Sequence, residues 1–303
     1  MRVYKLTSKS HVVKEIEKTN FEYDTDKKYP HYQQAADGLW RQYAVCPACD
    51  NPIQIIGLYK PLSNTDRPYG KHTGKRIDGF PDFGPEAHQW CPYVSARSSG
   101  GKTKRKSIDG LPLKILRILA DNFDRVLYIL EKDTGVRISD NLAKSMLETY
   151  MGEEGYLYTG ANLRNVPWIF AYMADAQSLF GQKIVSNDEL KGAITSKIEN
   201  ARIDESGRIT RGQGYYSIDL AFIDHAYHLE DHEIVESVVM HVVDGNGGVV
   251  YETVLDIDPA RFASLINTPP QFARRNMSQV AMAQAVIDPF LEAHRSTPEV
   301  GTT

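Results

Sequence analysis

Three cysteines and two nearby histidines are the residues of this sequence best suited to bind a metal ion. Cys46 and Cys49 form a Cys-Pro-Ala-Cys knuckle, and Cys91 follows His88 by three residues. An odd count of three cysteines argues against a disulfide framework. A structural zinc ion takes four nitrogen or sulfur ligands in a tetrahedron. The pattern therefore predicts one Zn²⁺ bound by the three cysteines and one histidine.

Two histidines compete for the fourth position. Pro85 can begin a short helix on which His88 and Cys91 share a face, so we expect His88 to be the ligand. His72, in the basic segment 69–76, is the alternative. Three thiolates and an imidazole leave no coordination position for water, which favours a structural ion over a catalytic one.

The segment around the knuckle resembles a treble-clef or zinc-ribbon finger. Residues 41–45 and 52–59 have the alternating or apolar pattern of a β-hairpin, and the ligand-bearing helix follows. The resemblance covers roughly 50 of the 303 residues. It implies metal binding, and fingers of this type bind DNA, RNA or proteins.

The charge of the chain is unevenly distributed around this module. The formal net charge is -4, yet residues 41–107 hold 11 Lys/Arg against 5 Asp/Glu. Lysine and arginine contact phosphates, and the interleaved aromatic residues can stack on bases. We expect a non-catalytic, zinc-stabilised nucleic-acid-binding protein, although a solvated basic loop would carry the same charges. The candidate contact residues are Lys71, Lys75, Arg76, Lys102, Lys104, Arg105 and Lys106.

Two other functional classes stay open. In a protein–protein adaptor, the finger would dock on an acidic protein partner and a sheet edge would accept a strand. In a metal-dependent nuclease of the His-Me (HNH) type, His72 would be the general base, and Asp82 or His88 would help to hold magnesium. The sequence departs from that nuclease pattern because no Asn lies between His72 and His88.

The C-terminal half carries further candidate ligands. A nuclease could use acids on or beside the expected sheet, namely Asp219, Asp224, Asp256 and Asp258. His225, His228 and His232 lie within ten residues of four acids, but their spacing does not place all three on one strand face. We interpret them as a solvated strand end and turn. No Walker-type phosphate loop and no Gly-x-Ser-x-Gly nucleophile motif is present.

Hydrophobic periodicity indicates an α+β protein in three parts. Residues 1–95 hold an N-terminal segment with the zinc module, and residues 96–110 read as a basic Ser/Gly/Lys-rich linker. The third part, 111–303, is expected to form one α+β domain. It divides into helices over 111–200, antiparallel strands over 208–257 and C-terminal helices over 259–294.

Local signals support particular elements. Ser139 can cap a helix, Pro167 suits a helical first turn, and Ser186 with Glu189 makes a capping box. The segment from Asp244 to Gly248 predicts a hairpin turn, and Pro269 with Pro270 separates the two final helices.

No run of about 18 apolar residues exists, and the charged N-terminal stretch lacks the apolar core of a secretory signal. We therefore expect a cytoplasmic protein.

Overall fold

The structure, a computed structural model, describes residues 1–60, 63, 65, 67–95, 101–108 and 110–294. It combines helices with antiparallel sheets, as the hydrophobic pattern predicts. No helix in those ranges is both long enough and apolar enough to cross a bilayer.

A four-stranded antiparallel sheet forms the centre of the N-terminal part. Its strand order is β3-β4-β5-β6, and Val45 of β4 lies opposite Pro52 of β5, so residues 46–51 are the loop of a hairpin. Lys5 bridges to Val45 and attaches the chain start to this hairpin. The elements are β1 (Val3–Tyr4), β2 (Lys14–Glu15), α1 (Lys18–Thr25), β3 (Tyr32–Gln34), β4 (Trp40–Val45), β5 (Pro52–Ile56), β6 (Tyr69–His72) and α2 (Pro85–Gln89).

The middle of the chain is mainly helical. Ser139 caps its helix by accepting from the backbone N–H of Leu142, as predicted, and Pro167 lies in the first turn of its helix. All eight residues of that helix are buried, which its nearly all-round apolarity predicts. The elements are α3 (Leu111–Asp121), α4 (Phe123–Thr134), β7 (Val136–Arg137), α5 (Asp140–Gly152), a 3-10 turn (Gly155–Leu157) and α6 (Val166–Met173).

Short strands interrupt the region that was predicted to be helical up to residue 200. The capping box at Ser186 is also displaced by one residue, because Asn187 accepts from the N–H of Leu190 and caps the helix instead. Asn187 also donates to the Thr134 carbonyl, which fixes its position. The elements are β8 (Gln177–Ser178), β9 (Lys183–Ile184), α7 (Asp188–Lys197), β10 (Ala201–Ile203) and β11 (Ile209–Arg211).

Three long strands form the second large sheet, in the order β14-β13-β12-β8. The strands are β12 (Ile218–Glu230), β13 (Glu233–Asp244) and β14 (Val249–Asp256), and the predicted turn at 244–248 joins the last two. The other hairpin turns at Asp231 and His232, both with positive φ. His232 stacks on Tyr69 with ring centroids 4.4 Å apart, so a tertiary contact supports this turn.

A β-bulge changes which side of β12 faces the core. Ile218, Leu220 and Phe222 are buried, and the register with β13 then shifts between Ile223 and Ala226. Asp224 has a φ of 51° and points outward. Beyond it, His225 and Tyr227 are the buried residues, so the extra residue moves the inward-facing set from even to odd numbers.

Two helices end the described chain, α8 (Pro259–Ile266) and α9 (Met277–Ala293). α9 packs against α3, α4 and α5. One continuous hydrophobic core runs from the knuckle residues Cys46 and Cys49 through the helices to Leu291. The cysteine-bearing segment therefore shares its core with the rest of the protein.

Candidate metal centre

Cys46, Cys49, His72 and Cys91 converge on one point of the N-terminal part. Their four ligand atoms all lie within 4.8 Å of one another, and the three cysteines are free and buried. The Cys46 and Cys91 sulfurs are 3.8 Å apart, and the Cys49 sulfur lies 3.3 Å from His72 Nε2. Elsewhere in the described ranges, no comparable group of metal-ligand side chains occurs.

These separations match a tetrahedral site. With Zn–S bonds of about 2.3 Å and Zn–N bonds of about 2.0–2.1 Å, tetrahedral angles place two sulfurs about 3.8 Å apart and a sulfur and a nitrogen about 3.5 Å apart. A disulfide needs sulfurs about 2.05 Å apart. The arrangement is therefore suited to a tetrahedral ion of zinc type and is not that of a disulfide.

The β4–β5 hairpin loop positions the first two cysteines. The N–H of Cys46 donates to Asn51 O at 2.9 Å, and the N–H of Asp50 donates to Cys46 O at 3.1 Å. Asp50 has a φ of 62°, which Asp tolerates better than most residues and which closes the loop tightly. The loop therefore turns both thiols toward the same side.

Asn51 connects this loop to the segment that carries Cys91. Its Nδ2 donates to Gly84 O at 3.2 Å, and its Oδ1 accepts from the Gly84 N–H at 2.8 Å. Gly84 immediately precedes α2, and Cys91 follows that helix, where its N–H donates to His88 O. Asn51 also donates to the Cys49 sulfur at 3.5 Å. Sequence reasoning missed this residue, although a side-chain amide two positions after the knuckle was a usable signal.

Asp50 is a second residue that sequence reasoning missed. Its carboxylate forms ion pairs with Lys5 and with Lys114 of α3, and the Lys5 and Asp50 side chains are only 3% and 7% exposed. Buried charges are stable only when they are paired. Asp50 therefore joins the knuckle to both the chain start and the helical part.

The three thiols do not ionise equally in this environment. Burial raises the pKa of Cys46, but hydrogen bonds from Cys49 and Cys91 and the nearby His72 outweigh it and leave the pKa well below its ordinary value. Burial, together with hydrogen bonding to Cys46, raises the pKa of Cys49 and of Cys91 well above theirs. Neighbouring like charges disfavour one another, so a divalent cation is what would let all three thiols become ligands.

The preferred histidine, His88, does not lie in the group; the alternative, His72, does. The His88 ring packs edge-on against the His72 ring with centroids 5.3 Å apart, and it lies tilted against the Phe83 ring at 5.2 Å. Strand β6 places His72 opposite Ile53, beside the hairpin loop. Helical spacing from Cys91 favoured His88, but α2 ends at Gln89, before Cys91, so the two residues do not share a helical face.

The basic residues of the module fall into two groups. Lys71, Lys75 and Arg76 are exposed on β6 and the turn after it. Arg76 pairs with Asp82 at 3.4 Å, whereas Lys71 and Lys75 have no carboxylate within 4.0 Å among the described residues. A shallow depression of about 280 Å³ lies on the outer face of the sheet, and Lys71, Lys75 and Arg41 line it.

The second group, residues 102–106, lies against the protein body. Arg105 is 4% exposed and donates to the carbonyls of Tyr158, Thr159 and Ala161, so it cannot contact a phosphate. Burial lowers its pKa to about 10. Lys102 pairs with Asp175, Lys104 pairs with Glu154, and Lys106 is exposed. The part of the expected linker from Thr103 to Arg105 is bonded to residues 157–159; residues 96–100 and 109 lie outside the described ranges.

Of the three C-terminal histidines that we interpreted as solvated, only two are exposed. His228 and His232 are exposed as expected, but His225 is buried by the bulge. Its Nε2 lies 2.7 Å from Glu236 Oε1 and its Nδ1 lies 2.9 Å from the Tyr158 hydroxyl, while Asn165 donates to Glu236 at 2.6 Å. This closed polar network was missed because a one-residue bulge leaves no clear signal in an alternating pattern.

The four C-terminal acids do not converge in the described part of the chain. Asp258 caps α8 by accepting from the N–H groups of Ala260 and Arg261, and Asp224 and Asp256 are exposed. Asp82, the candidate magnesium ligand, is also exposed and pairs with Arg76.

Comparison with protein-family models, with curated proteins and with solved structures finds no match to this chain.

Proposed function

We propose that the chain is a zinc-stabilised nucleic-acid-binding protein in which Cys46, Cys49, His72 and Cys91 hold one structural zinc ion. The observation that carries the zinc assignment is the convergence of four ligand atoms within 4.8 Å of one another, with the Cys46–Cys91 and Cys49–His72 separations close to those of a tetrahedral site. Three thiolates and one imidazole complete the coordination shell, so the ion acts on folding rather than on a substrate.

The proposed site is treble-clef-like in part. A hairpin knuckle supplies two ligands, as in that arrangement, and the residue after α2 supplies another. The remaining ligand comes from the end of β6, whereas a treble clef would take it from the helix. The zinc ion would therefore join three separate segments of chain around one point.

The outer face of the β4–β5–β6 sheet is the proposed contact surface for nucleic acid. Tyr43, Gln54 and Lys71 lie side by side across the three strands, and His72 on the same strand reaches the thiols from the opposite face. Lys71 and Lys75 are free to contact phosphates, and zinc binding would fix the strand that presents them. Arg105 is not part of this surface, and the ion-paired Lys102 and Lys104 are not needed for it.

Salt-dependent binding tests this proposal. Zinc-loaded protein is titrated with labelled single- and double-stranded DNA and RNA, with magnesium present, across a salt series. A Lys71→Gln/Lys75→Gln/Arg76→Gln variant should bind less tightly and lower the slope of log K against log salt by about one for each lost phosphate contact. The matched control, Lys144→Gln/Lys191→Gln, removes one exposed and one partly exposed lysine on α5 and α7.

Absence of binding at low salt, or equal weakening in the control, would refute the nucleic-acid proposal. The finger would then be tested against acidic protein partners. Appearance of cut strands that depends on magnesium would instead support the nuclease alternative.

A further inference from the structure

A large cavity lies far along the sequence from the cysteines. It has a volume of about 890 Å³ and is lined by α4, the start of α5, the β7–β9 pair and the segment before α9. Small-molecule sites typically occupy about 300–1,000 Å³. We call this cavity the cationic groove, because five of its lining residues are basic: Arg125, Arg137, Lys183, Arg208 and Arg274.

Three of these cations stand in a row across neighbouring strands. Arg137 lies directly opposite Lys183 in the β7–β9 pair, and Lys183 also bridges to Arg208. Like charges directly opposite one another on a sheet are destabilising. These three cations therefore repel one another, and a bound anion would reduce that repulsion.

Arg125 adds a cation that is more strongly desolvated. It is 9% exposed, and its guanidinium donates to the Asn122 side chain at 3.0 Å. Burial, together with repulsion from Arg275, lowers the pKa of Arg125. This guanidinium has no carboxylate within 4.0 Å among the described residues, and the same is true of Lys183, Arg208 and Arg274.

The acids that line the groove are already engaged. Asp124 accepts from Arg275, Glu131 accepts from Arg137, and the Asp140 carboxylate accepts from Gln279. Asp204 lies in the β10–β11 turn and bonds to the backbone of Ser206 and Arg208. These acids leave a net positive lining for an incoming ligand.

Apolar side chains complete the wall of the groove. Leu127, Ile138 and Leu265 line it, and the exposed rings of Tyr128 and Phe272 lie at its boundary. A ligand that fits both features carries several negative charges on one part and a planar, weakly polar group on another. Phosphates suit arginine and lysine, and a base suits aromatic and aliphatic surfaces.

From this charge row and its apolar wall we propose that the cationic groove binds nucleoside phosphates, with Lys183, Arg208, Arg125 and Arg274 contacting the phosphates. The phosphates could belong to a free nucleotide or to a single strand, and both present the same chemistry. This site is separate from the sheet face that carries Lys71, and neither proposal requires the other.

Calorimetric titration of the zinc-loaded full chain at low salt tests the proposal. The probes are ADP, pyrophosphate, adenosine and a short single-stranded oligonucleotide. ADP should bind, pyrophosphate should bind more weakly, and adenosine should not bind measurably.

Each charge-assisted hydrogen bond that is removed should weaken binding by about tenfold or more. The Lys183→Gln/Arg274→Gln variant should therefore lose about two orders of magnitude in affinity for ADP. The control is Lys144→Gln/Lys191→Gln, which leaves the groove intact.

Displacement of ADP by the oligonucleotide, with the same loss in the groove variant, identifies a strand as the phosphate source; its failure to compete identifies a free nucleotide. No heat from ADP, pyrophosphate or oligonucleotide overturns the proposal, as does binding that the groove variant leaves unchanged. The Lys71→Gln/Lys75→Gln/Arg76→Gln variant should bind ADP normally, so failure here is distinguishable from failure of the proposed nucleic-acid surface.

Discussion

The Nε2 atom of His72 lies 3.3 Å from the Cys49 sulfur, although 23 positions separate the two residues along the chain. His88, closer to Cys91 in sequence, contacts the His72 ring but lies outside the group of ligand atoms. The two histidines therefore offer a direct test of the proposed zinc site.

His72→Ala should lose most of the bound zinc, because three thiolates alone leave the tetrahedron incomplete. His88→Ala should keep about one zinc per chain, since it removes only ring contacts with His72 and Phe83. Zinc content is measured by metal analysis after dialysis, with Tm recorded for both variants. Equal zinc loss in the two variants, or loss only in His88→Ala, would contradict the assignment.

Asp50→Asn should destabilise the protein by about 3–5 kcal/mol, because it leaves Lys5 as a buried and unpaired charge. Urea unfolding at saturating zinc gives the free energy of unfolding. Asp26→Asn is the matched control, since Asp26 pairs with Lys28 on the surface, where solvent screens the pair and its contribution to stability is small. A small loss in Asp50→Asn would show that Lys5 finds another partner.

Glu236→Gln should cost about 2 kcal/mol, because the Oε1 atom that accepts from both Asn165 and His225 becomes a neutral amide oxygen, and hydrogen bonds to an ionised acceptor are about twice as strong as neutral ones. The chain contains a matched pair for comparison. His241 and Glu252 are also 2.7 Å apart, but the Glu252 side chain is 53% exposed, so Glu252→Gln should cost at most about 1 kcal/mol. Similar losses of unfolding free energy in both variants would mean that burial of the His225 network contributes little to stability.

Arg105→Gln should destabilise the protein by about 3 kcal/mol or more, because three buried carbonyls lose a charged donor. Lys106→Gln, one residue further on, should change stability by less than about 0.5 kcal/mol. Thermal or chemical unfolding of the two variants distinguishes a structural arginine from a surface cation. The opposite order of effects would return Arg105 to the list of nucleic-acid contacts.

The pKa of His31 lies below its ordinary value chiefly because the ring is buried, although its hydrogen bond to Tyr43 O works in the opposite direction. The unfolded chain therefore binds this proton more readily than the native state. Native stability should fall as pH drops through the range where an exposed histidine titrates, near pH 6.5. His31→Gln should flatten that fall between about pH 7.5 and 5.5 in unfolding experiments at saturating zinc; an unchanged slope would contradict the prediction.

The sequence predicted the elements whose signals are local. Ser139 caps its helix, α6 is buried on all sides, and the turn at 244–248 joins two strands, because caps, apolar periodicity and turn residues act within a few positions. The cysteines were recognisable for the same reason, since a knuckle is a local motif.

Long-range features could not be read from the sequence in this way. The candidate fourth ligand, His72, lies on β6, and its proximity to the knuckle depends on strand pairing between His72 and Ile53. Arg105 looked like one charge in a basic run, yet carbonyls more than 50 positions away bury it. The inward position of His225 depends on a bulge whose only local trace is the left-handed Asp224.

That bulge makes the backbone at Asp224 more important than its side chain. The side chain is exposed, but a φ of 51° favours Gly, Asn or Asp at this position, so β-branched residues should be disfavoured there. Loss of this single residue would remove the bulge and place His225 opposite Val238, which keeps His225 and Tyr227 facing inward. A deletion further along the strand, at Ala226 for example, would instead turn Tyr227 outward. Among natural variants of the chain, a one-residue gap in β12 would therefore be expected at the bulge rather than beyond it.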